Sequence, residues 1–220
     1  VYPGITAVNL VSNTSGIPGL ITGLSGNYGA HMCQFSAPGS FPNADSLQVC
    51  AQTIYQTLLD GTVPPNVSFD YGGSQWHLAG AVAEAVGGDS WNNLFRQYIA
   101  EPCELEVFEY GNVLFNTSLW TGFPDSLVGR DNPNLEGGAI ANIRDVATIL
   151  RMHLNDGECD GNRVMSAASA QRMRVDIGTA LGSRQWVGSA GRGYGMGWWI
   201  PEENDAPTRF EDGGAYGSFS

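Results

Sequence analysis

The 220-residue chain is long enough to bury a sizeable core, and its 42% hydrophobic and 15% charged residues are typical of a globular protein. Its 22 acidic residues outnumber its 10 basic residues, all of them arginine, which gives a formal net charge of -12. Because nucleic acids and anionic membranes attract clustered cations, this charge argues against both as partners. No apolar run approaches the ~20 residues that span a bilayer, so no membrane span is predicted.

The four cysteines are an even number and include no Cys-x-x-Cys pair, which predicts disulfides rather than a zinc site. Of the connectivities that four cysteines allow, we prefer the pairing of sequence neighbours. That pairing joins Cys33 to Cys50 and Cys103 to Cys159.

Three Asn-x-Ser/Thr sequons begin at Asn13, Asn66 and Asn116 and are candidate glycosylation sites. Each sequon alone is a weak signal, since the pattern is short. Together with the even cysteine count, the sequons predict a secreted, extracellular glycoprotein.

Hydrophobic periodicity predicts helices, in chain order, over 45–60, 74–86, 90–99, 140–154 and 167–175. Side chains suited to cap them are Asp45 or Ser46, then Ser90 and Ser166. The segments 12–50 and 107–135 are rich in turn-forming residues outside these helices, so we expect an irregular loop in the first and a loop with short strands in the second.

The residue pattern in the C-terminal part of the chain is typical of strands rather than helices. Residues 193–200 alternate glycine with bulky side chains, which predicts a strand, and 209–220 are predicted to pair with it. The predicted fold class is therefore α+β. We expect a mostly helical domain with long loops over 1–190, and over 191–220 a β-hairpin belonging to the antiparallel sheet of an α/β domain.

The sequence lacks the motifs of two common kinds of catalytic site, the nucleophile elbow and the histidine metal centre. Residues 23–27 come closest to the nucleophile elbow Gly-x-Ser-x-Gly but lack its last glycine. His31, His77 and His153 are scattered without helical spacing, so we predict surface or capping roles for them, no metal site and no cofactor.

Tyr71 is the candidate for proton transfer that the residues themselves offer. It stands just before the helix predicted from residue 74, where the positive end of the helix dipole favours a phenolate. A tyrosine in that place can equally fill a loop without a chemical role.

Segments along most of the chain resemble, in the same order, the serine β-lactamase-like superfamily of class C β-lactamases, D-amino-acid peptidases and related esterases. Residues 5–17 resemble its I-T-x-x-x-L-L-x-H-T-S-G-L segment, 71–84 its Y-S-N-x-x-Y-x-L-L-G-x-I-I-E segment, and 99–102 its I-F-x-P. Gly137 and Gly138, together with residues 145–154, resemble G-G-L-x-S-T-x-x-D-L-A-R-F, while 194–198 and 212–217 resemble Y-G-L-G-W and H-G-G-x-x-G.

The resemblance implies a β-lactamase-like fold and acyl transfer to the serine of a Ser-x-x-Lys motif, with that lysine and a tyrosine managing the proton. The tyrosine corresponds to Tyr71. The third motif corresponds to Asp212, Gly213 and Gly214, which are then expected to contact substrate. The backbone N–H of Ala215 is expected to help form the oxyanion hole.

The sequence departs from the superfamily at three points. It has no lysine, so it contains no Ser-x-x-Lys, which the resemblance places upstream of Val1. Gly73 replaces an asparagine expected to touch substrate, and Asp212 replaces a basic residue or histidine. Because an anion at position 212 repels a carboxylate, the expected substrate is a small ester or amide without a required carboxylate.

The superfamily builds its sheet from both ends of the chain, so this sequence is expected to supply only part of that sheet and to leave edges open. We therefore expect a fragment that is not competent as an isolated chain, with a protein partner as one way to complete the sheet. Two functions stay open. One is part of a secreted serine hydrolase whose nucleophile lies outside the chain; the other is a non-catalytic glycoprotein with a binding or structural role in an extracellular assembly.

Overall fold

A computed structural model describes residues 3–19, 31–33, 45–112, 129–178, 181, 193–200 and 211–212. The helices are α1 (Ala7–Val11), α2 (Leu47–Gln56), α3 (Gly73–Gly87), α4 (Trp91–Phe95), a π-helical turn (Arg96–Ala100), α5 (Ile143–Leu154) and α6 (Ala167–Met173). The strands are β1 (Phe108–Tyr110), β2 (Ala139–Ala141), β3 (Glu158–Cys159), β4 (Asn162–Arg163), β5 (Gly193–Tyr194), β6 (Trp198–Ile200) and β7 (Glu211–Asp212). Helices with short antiparallel sheets confirm the predicted α+β class.

Capping side chains explain where most of these helices begin. The hydroxyls of Ser46, Ser90 and Ser166 accept hydrogen bonds from backbone N–H groups three residues later, at the starts of α2, α4 and α6. These caps confirm the predictions at Ser90 and Ser166 and select Ser46 over Asp45. Helix α3 ends at Gly88, whose φ of 73° is left-handed and suits glycine.

The predicted helix over 140–154 begins later than expected. Residues 139–141 form β2, which pairs with β1 in antiparallel register, with Glu109 opposite Ile140. Asn142 then caps α5, because its side chain accepts a 2.7 Å hydrogen bond from the N–H of Asp145. Pairing with a distant strand overrides the local helical period at these residues.

The single strand predicted over 193–200 is wrong, because this segment folds back on itself as the hairpin β5–β6. The N–H of Gly195 donates to the carbonyl of Trp198 at 2.8 Å, and Gly197 has a φ of 81° that a side chain would strain. The predicted partner strand is present as β7, which pairs with β6 through Trp198 and Asp212.

A helical core lies between α1, α2 and α3. Its buried members are Leu10, Ile17, Cys33, Leu47, Cys50, Ala51, Ile54, Leu78 and Ala81. A second cluster joins Cys103 and Cys159 to Met152 of α5. Both predicted disulfides, Cys33–Cys50 and Cys103–Cys159, are present, one in each cluster. No helix among the described residues has both the length and the apolar character needed to cross a membrane.

The two disulfides differ in the length of chain that they close, and this difference predicts their contributions to stability. Cys103–Cys159 spans 56 residues and Cys33–Cys50 spans 17. Replacing both cysteines of the longer loop by alanine is expected to lower the free energy of unfolding by about 4 kcal/mol, against about 3 kcal/mol for the shorter loop. Urea unfolding of the two double variants measures this order. An equal or larger loss from the shorter loop would contradict the loop-entropy argument.

Candidate functional site

Tyr71 lies at the start of α3, immediately before Gly72, the residue that caps this helix. Its half-buried ring stacks on Trp199 of β6, with centroids 5.6 Å apart and planes at 29°. It also meets Tyr194 of β5 edge-on, at 5.9 Å and 84°. Phe69 packs on the same rings, and these four residues form the aromatic cluster. The hairpin β5–β6 therefore brings two aromatic side chains against the candidate proton-transfer residue.

The backbone around Tyr71 is held by Asn13. This residue is fully buried with a φ of 57°, in the left-handed region that asparagine tolerates better than most residues. Its Oδ1 accepts hydrogen bonds from Gly72 N at 3.3 Å and Gln75 Nε2 at 3.1 Å. Its carbonyl oxygen accepts a third from Asp70 N at 2.9 Å. Asn13 thus ties the residues on both sides of Tyr71 to one buried side chain.

The segment after Asn13 runs beside the same loop. Ser15 Oγ donates to Gln75 Oε1 at 2.5 Å, and Gln75 Nε2 also donates to the carbonyl of Asp70 at 2.7 Å. Gly19 lies so close that a Cβ there would come within 2.0 Å of the Tyr71 carbonyl oxygen. The segment that resembles H-T-S-G-L, with the residues just after it, therefore hydrogen-bonds to the start of α3 and lies against the backbone of Tyr71.

The hairpin β5–β6 is anchored on the helical part of the chain. Gly197 N donates to the carbonyl of Val11, the last residue of α1, at 3.1 Å. Tyr194 N donates to Asp176 Oδ1 at 3.0 Å, and the Tyr194 carbonyl accepts from Ile177 N at 2.8 Å. These contacts fix the aromatic cluster relative to α3.

Several groups of the site shift the pKa of the Tyr194 hydroxyl. Burial raises the pKa of Tyr194 well above its ordinary value, and the nearby Tyr71 and Glu136 raise it further, while the Asn13 side chain opposes the shift. Three side chains from separate parts of the sequence, those of Asn13, Tyr71 and Glu136, therefore act on the hydroxyl of Tyr194.

Glu136 is a candidate site residue that the sequence did not single out. It is partly buried, and burial raises the pKa of its carboxyl group to about 7. The available signal was an acidic residue directly before the pair Gly137 and Gly138, in the segment that resembles G-G-L-x-S-T.

His77 does not take the predicted surface or capping role, whereas His31 contacts the carbonyl of Thr57, the residue that caps the C-terminus of α2. His31 is buried, with Nδ1 3.0 Å from Ser74 Oγ and Nε2 3.2 Å from the carbonyl of Thr57, and burial lowers its pKa. His77 is fully buried in α3, and burial lowers its pKa to about 3. His153 is half-buried and meets Trp198 edge-on at 4.9 Å.

The other predicted site residues are placed only in part. Gly73 is the first residue of α3 and is buried. The backbone of Asp212 lies in β7, opposite Trp198, so the third motif begins on the strand next to the one that carries Trp199. Gly213, Gly214 and Ala215 lie outside the described residues, and their substrate and oxyanion roles stay predictions.

The sequon asparagines differ in exposure. Asn13 is fully buried, so the folded chain has no room for a glycan there. Asn66 is exposed, with its Oδ1 accepting from Asn9 Nδ2 at 2.7 Å, and suits a glycan better. Asn116 lies outside the described residues. Glycosylation at Asn66 and Asn116 stays a prediction.

Comparisons with known proteins show what the chain is similar to. The profile of the Beta-lactamase family matches residues 2–220. Penicillin-binding protein 4 of Amycolatopsis lactamdurans is 26% identical over 235 residues, which cover 98% of this chain and 55% of that protein. The chain therefore spans about half the length of this curated relative.

Two solved structures show the same fold at low identity. The hydrolase EstCE1, described as having promiscuous acyltransferase activity, superposes with a TM-score of 0.66 at 20% identity, over 96% of this chain and 60% of its own. A penicillin binding protein from Bacillus halodurans has a TM-score of 0.63 at 14% identity, over 92% of this chain and 58% of its own. With the family profile matching nearly the whole sequence, the chain belongs to the Beta-lactamase family.

Proposed function

We propose that this chain is part of a secreted serine hydrolase that transfers acyl groups from esters or amides, with a nucleophile outside these 220 residues. The observation that carries the proposal is the fixed position of Tyr71 at the start of α3, between the Asn13 network and the ring of Trp199. A proton-transfer residue must be held in place, and this one is held from both sides.

The chemistry assigned to Tyr71 is proton transfer in both halves of the reaction. A serine oxygen attacks the carbonyl carbon while its proton passes to the tyrosine oxygen. The same proton then goes to the departing alcohol or amine, and an acyl-enzyme remains. Water repeats the cycle in reverse order, so that the acid is released and the serine hydroxyl is restored. The N-terminal end of α3 stabilises the negative charge that the tyrosine oxygen carries before it accepts the serine proton and again after it has donated that proton to the leaving group.

The motif that begins at Asp212 is proposed to supply the rest of the site. The backbone N–H of Ala215 donates to the developing oxyanion, and Gly213 and Gly214 let the substrate approach the strand closely. Gly73 and Asp212 define a substrate without a required carboxylate, because neither offers a positive or amide side chain to bind one.

One finding supports the hydrolase over its alternative, and another supports secretion, which both functions share. EstCE1, which shares the fold, is described as a hydrolase with acyltransferase activity. The two disulfides are compatible with an oxidising compartment and hence with secretion.

Labelling with a fluorophosphonate probe tests the proposal on the intact native protein, including any sequence upstream of Val1. We expect stoichiometric labelling, and peptide mapping should place the label on a serine of a Ser-x-x-Lys segment that precedes Val1. Heat-denatured protein is the control and should not react. A label on a serine within residues 1–220 would contradict the assignment of the nucleophile.

The alternative is a non-catalytic glycoprotein that binds or supports other components of an extracellular assembly. The absence of lysine and the presence of Gly73 and Asp212 favour it. In that case the native protein fails to react with the probe, and a protein partner that pairs with the sheet of β5, β6 and β7 becomes the expected ligand.

A further inference from the structure

Asn13 and Gln75 form a hydrogen-bonded pair next to the backbone of Tyr71. Gln75 Nε2 donates to Asn13 Oδ1 at 3.1 Å, and the exposed fractions of the two residues are 1% and 0%. Asn13 stands where the H-T-S-G-L pattern has histidine, and Gln75 stands at a position that the Y-S-N-x-x-Y pattern leaves open. The resemblance to the superfamily therefore assigns neither residue a role.

The pair binds three backbone groups on the two sides of Tyr71. Asn13 Oδ1 accepts a hydrogen bond from Gly72 N at 3.3 Å, and the Asn13 carbonyl oxygen accepts one from Asp70 N at 2.9 Å. Gln75 Nε2 donates to the carbonyl oxygen of Asp70 at 2.7 Å. Because hydrogen bonds are directional, these three bonds fix the orientation of the peptide groups before and after Tyr71.

The pair is itself anchored to the segment that follows α1. Ser15 is fully buried, and its Oγ donates to Gln75 Oε1 at 2.5 Å. Asn13 N donates to the carbonyl oxygen of Leu10 in α1 at 3.2 Å, and the left-handed φ of 57° at Asn13 turns its side chain back into this network. The loop that carries Tyr71 is therefore connected to α1 through buried hydrogen bonds.

The aromatic contacts of Tyr71 do not replace these bonds. Its ring centroid lies 5.6 Å from that of Trp199 and 5.9 Å from that of Tyr194. Apolar contact is not directional, so a ring can slide and tilt over such a surface. A catalytic group must stay within about 0.5 Å and 10–20° of its productive geometry. The hydroxyl at the far end of the ring therefore needs a backbone that is held by directional bonds.

We propose that Asn13 and Gln75 are positioning residues for Tyr71, which set the place of its hydroxyl for proton transfer and touch neither the substrate nor the reacting atoms. The hold on the backbone of Tyr71 follows from the hydrogen bonds of the pair. The effect on proton transfer rests on the proposed function.

Native-state amide exchange measures the hold on the backbone without any need for turnover. Asn13→Gly removes the Oδ1 acceptor, and glycine, unlike alanine, suits the left-handed φ. We expect the Gly72 amide to exchange at least about tenfold faster relative to the amide of Leu94, which donates to Ser90 O in α4. Asn13→Asp keeps an oxygen acceptor at the same place and should keep the wild-type ratio of the two exchange rates.

Asn66→Gly is the matched control. Asn66 is also a sequon asparagine with a left-handed φ, of 63°, and its Oδ1 accepts from Asn9 Nδ2 at 2.7 Å rather than from the loop of Tyr71. In protein produced without glycosylation, this variant should leave the exchange of Gly72 unchanged relative to the same reference amide. Equal acceleration in Asn66→Gly, or none in Asn13→Gly, would overturn the proposal.

Turnover of 4-nitrophenyl butyrate by the intact protein tests the effect on proton transfer. We expect Asn13→Gly to lower kcat by about 100-fold, the cost of a displacement near 1 Å, and to change KM by less than about threefold. Gln75→Met keeps the length of the side chain but removes its amide. It should act in the same direction, and it provides the same test where Asn13→Gly does not fold.

The background Tyr71→Phe distinguishes positioning from general support of the fold. In that background neither substitution should change kcat by more than about threefold, because residues that act through one group have non-additive effects. A loss of the same size with and without the Tyr71 hydroxyl would show that Asn13 and Gln75 support the fold alone.

The exchange and turnover measurements separate the failure of the positioning role from the failure of the proposed function. Absence of ester hydrolysis, with exchange at Gly72 that depends on Asn13, supports the hold on Tyr71 and contradicts the hydrolase. Hydrolysis that depends on Tyr71 but not on Asn13 or Gln75 supports the hydrolase and overturns the positioning role.

Discussion

Replacing Tyr71 by phenylalanine is expected to lower kcat/KM for ester hydrolysis by the intact protein by about 100- to 10,000-fold, the range typical of a lost proton-transfer group. The substitution removes only the hydroxyl. The ring keeps its stacking on Trp199 and its edge contact with Tyr194, at 5.6 Å and 5.9 Å. We therefore expect the free energy of unfolding to change by no more than about 1 kcal/mol, the net value of one hydrogen bond. Steady-state kinetics and urea unfolding measure the two quantities.

The matched control is Tyr98→Phe. Tyr98 lies in the π-helical turn with 59% of its surface exposed, and its hydroxyl should affect neither quantity. The loss at Tyr71 should appear in kcat rather than KM, because proton transfer stabilises the transition state and not the bound substrate. Retention of more than half of the wild-type kcat/KM in Tyr71→Phe would show that the tyrosine fills the loop without a chemical role.

Helix positions could be predicted from the sequence because both the apolar period and the capping residues are local. Ser90 and Ser166 cap helices where they were expected, since a hydroxyl and an N–H three residues later need no distant partner. Helix α1 was missed because it has only five residues, too few for a period to show. Its start at Thr6 depends on a capping box with Asn9.

Where long-range contacts decide the structure, the sequence pattern was insufficient. Residues 140 and 141 fall within the predicted helix but pair with β1, and the glycines of 193–200 allow a hairpin where alternation predicted one strand. The apolar face predicted for α5 is only partly covered: Ile149 packs on the second cluster, whereas Ile143 is 81% exposed. A period identifies an apolar face but does not identify what packs against it.

In the candidate site, too, local features could be predicted from the sequence and long-range contacts could not. Tyr71 was found because its place before a helix is visible in the sequence. Asn13 was recognised only as a sequon, although its burial and its hydrogen bonds to Gly72 and Gln75 make it a support of the site. Glu136 was not recognised at all, because its burial depends on contacts between segments that are far apart in sequence.

His77 is expected to make the protein sensitive to acid. It is fully buried in α3, and in the described part of the chain neither ring nitrogen has a partner within hydrogen-bonding distance. Burial lowers its pKa from 6.5 to about 3, and the side chain of Asn132 opposes this only in part. Between these values the unfolded chain binds a proton that the folded chain does not. The free energy of unfolding therefore falls as the pH falls from 6.5 towards 3, by on the order of 5 kcal/mol in total.

Glu136 has the opposite effect over part of the same range. Its pKa is raised from 4.5 to about 7, so between these values the folded chain holds a proton that the unfolded chain has lost. Its contribution to stability is lost as the pH rises through this range. From pH 4.5 to 6.5 the two contributions have opposite slopes and nearly cancel. Below pH 4.5 the contribution of Glu136 no longer changes with pH, so the His77 contribution to the free energy of unfolding falls without being offset.

Urea unfolding between about pH 3 and 7 separates the two groups in three proteins. Relative to wild type, Glu136→Gln should lose stability on acidification from pH 6.5, by about 1.4 kcal/mol per pH unit. His77→Gln should instead lose much of the steep decline below pH 4.5, whatever its stability at neutral pH. His31 and His153, whose pKa values burial also lowers, act alike in all three proteins and leave these differences unchanged. A His77→Gln variant that keeps the wild-type decline below pH 4.5 would assign the acid sensitivity to other groups.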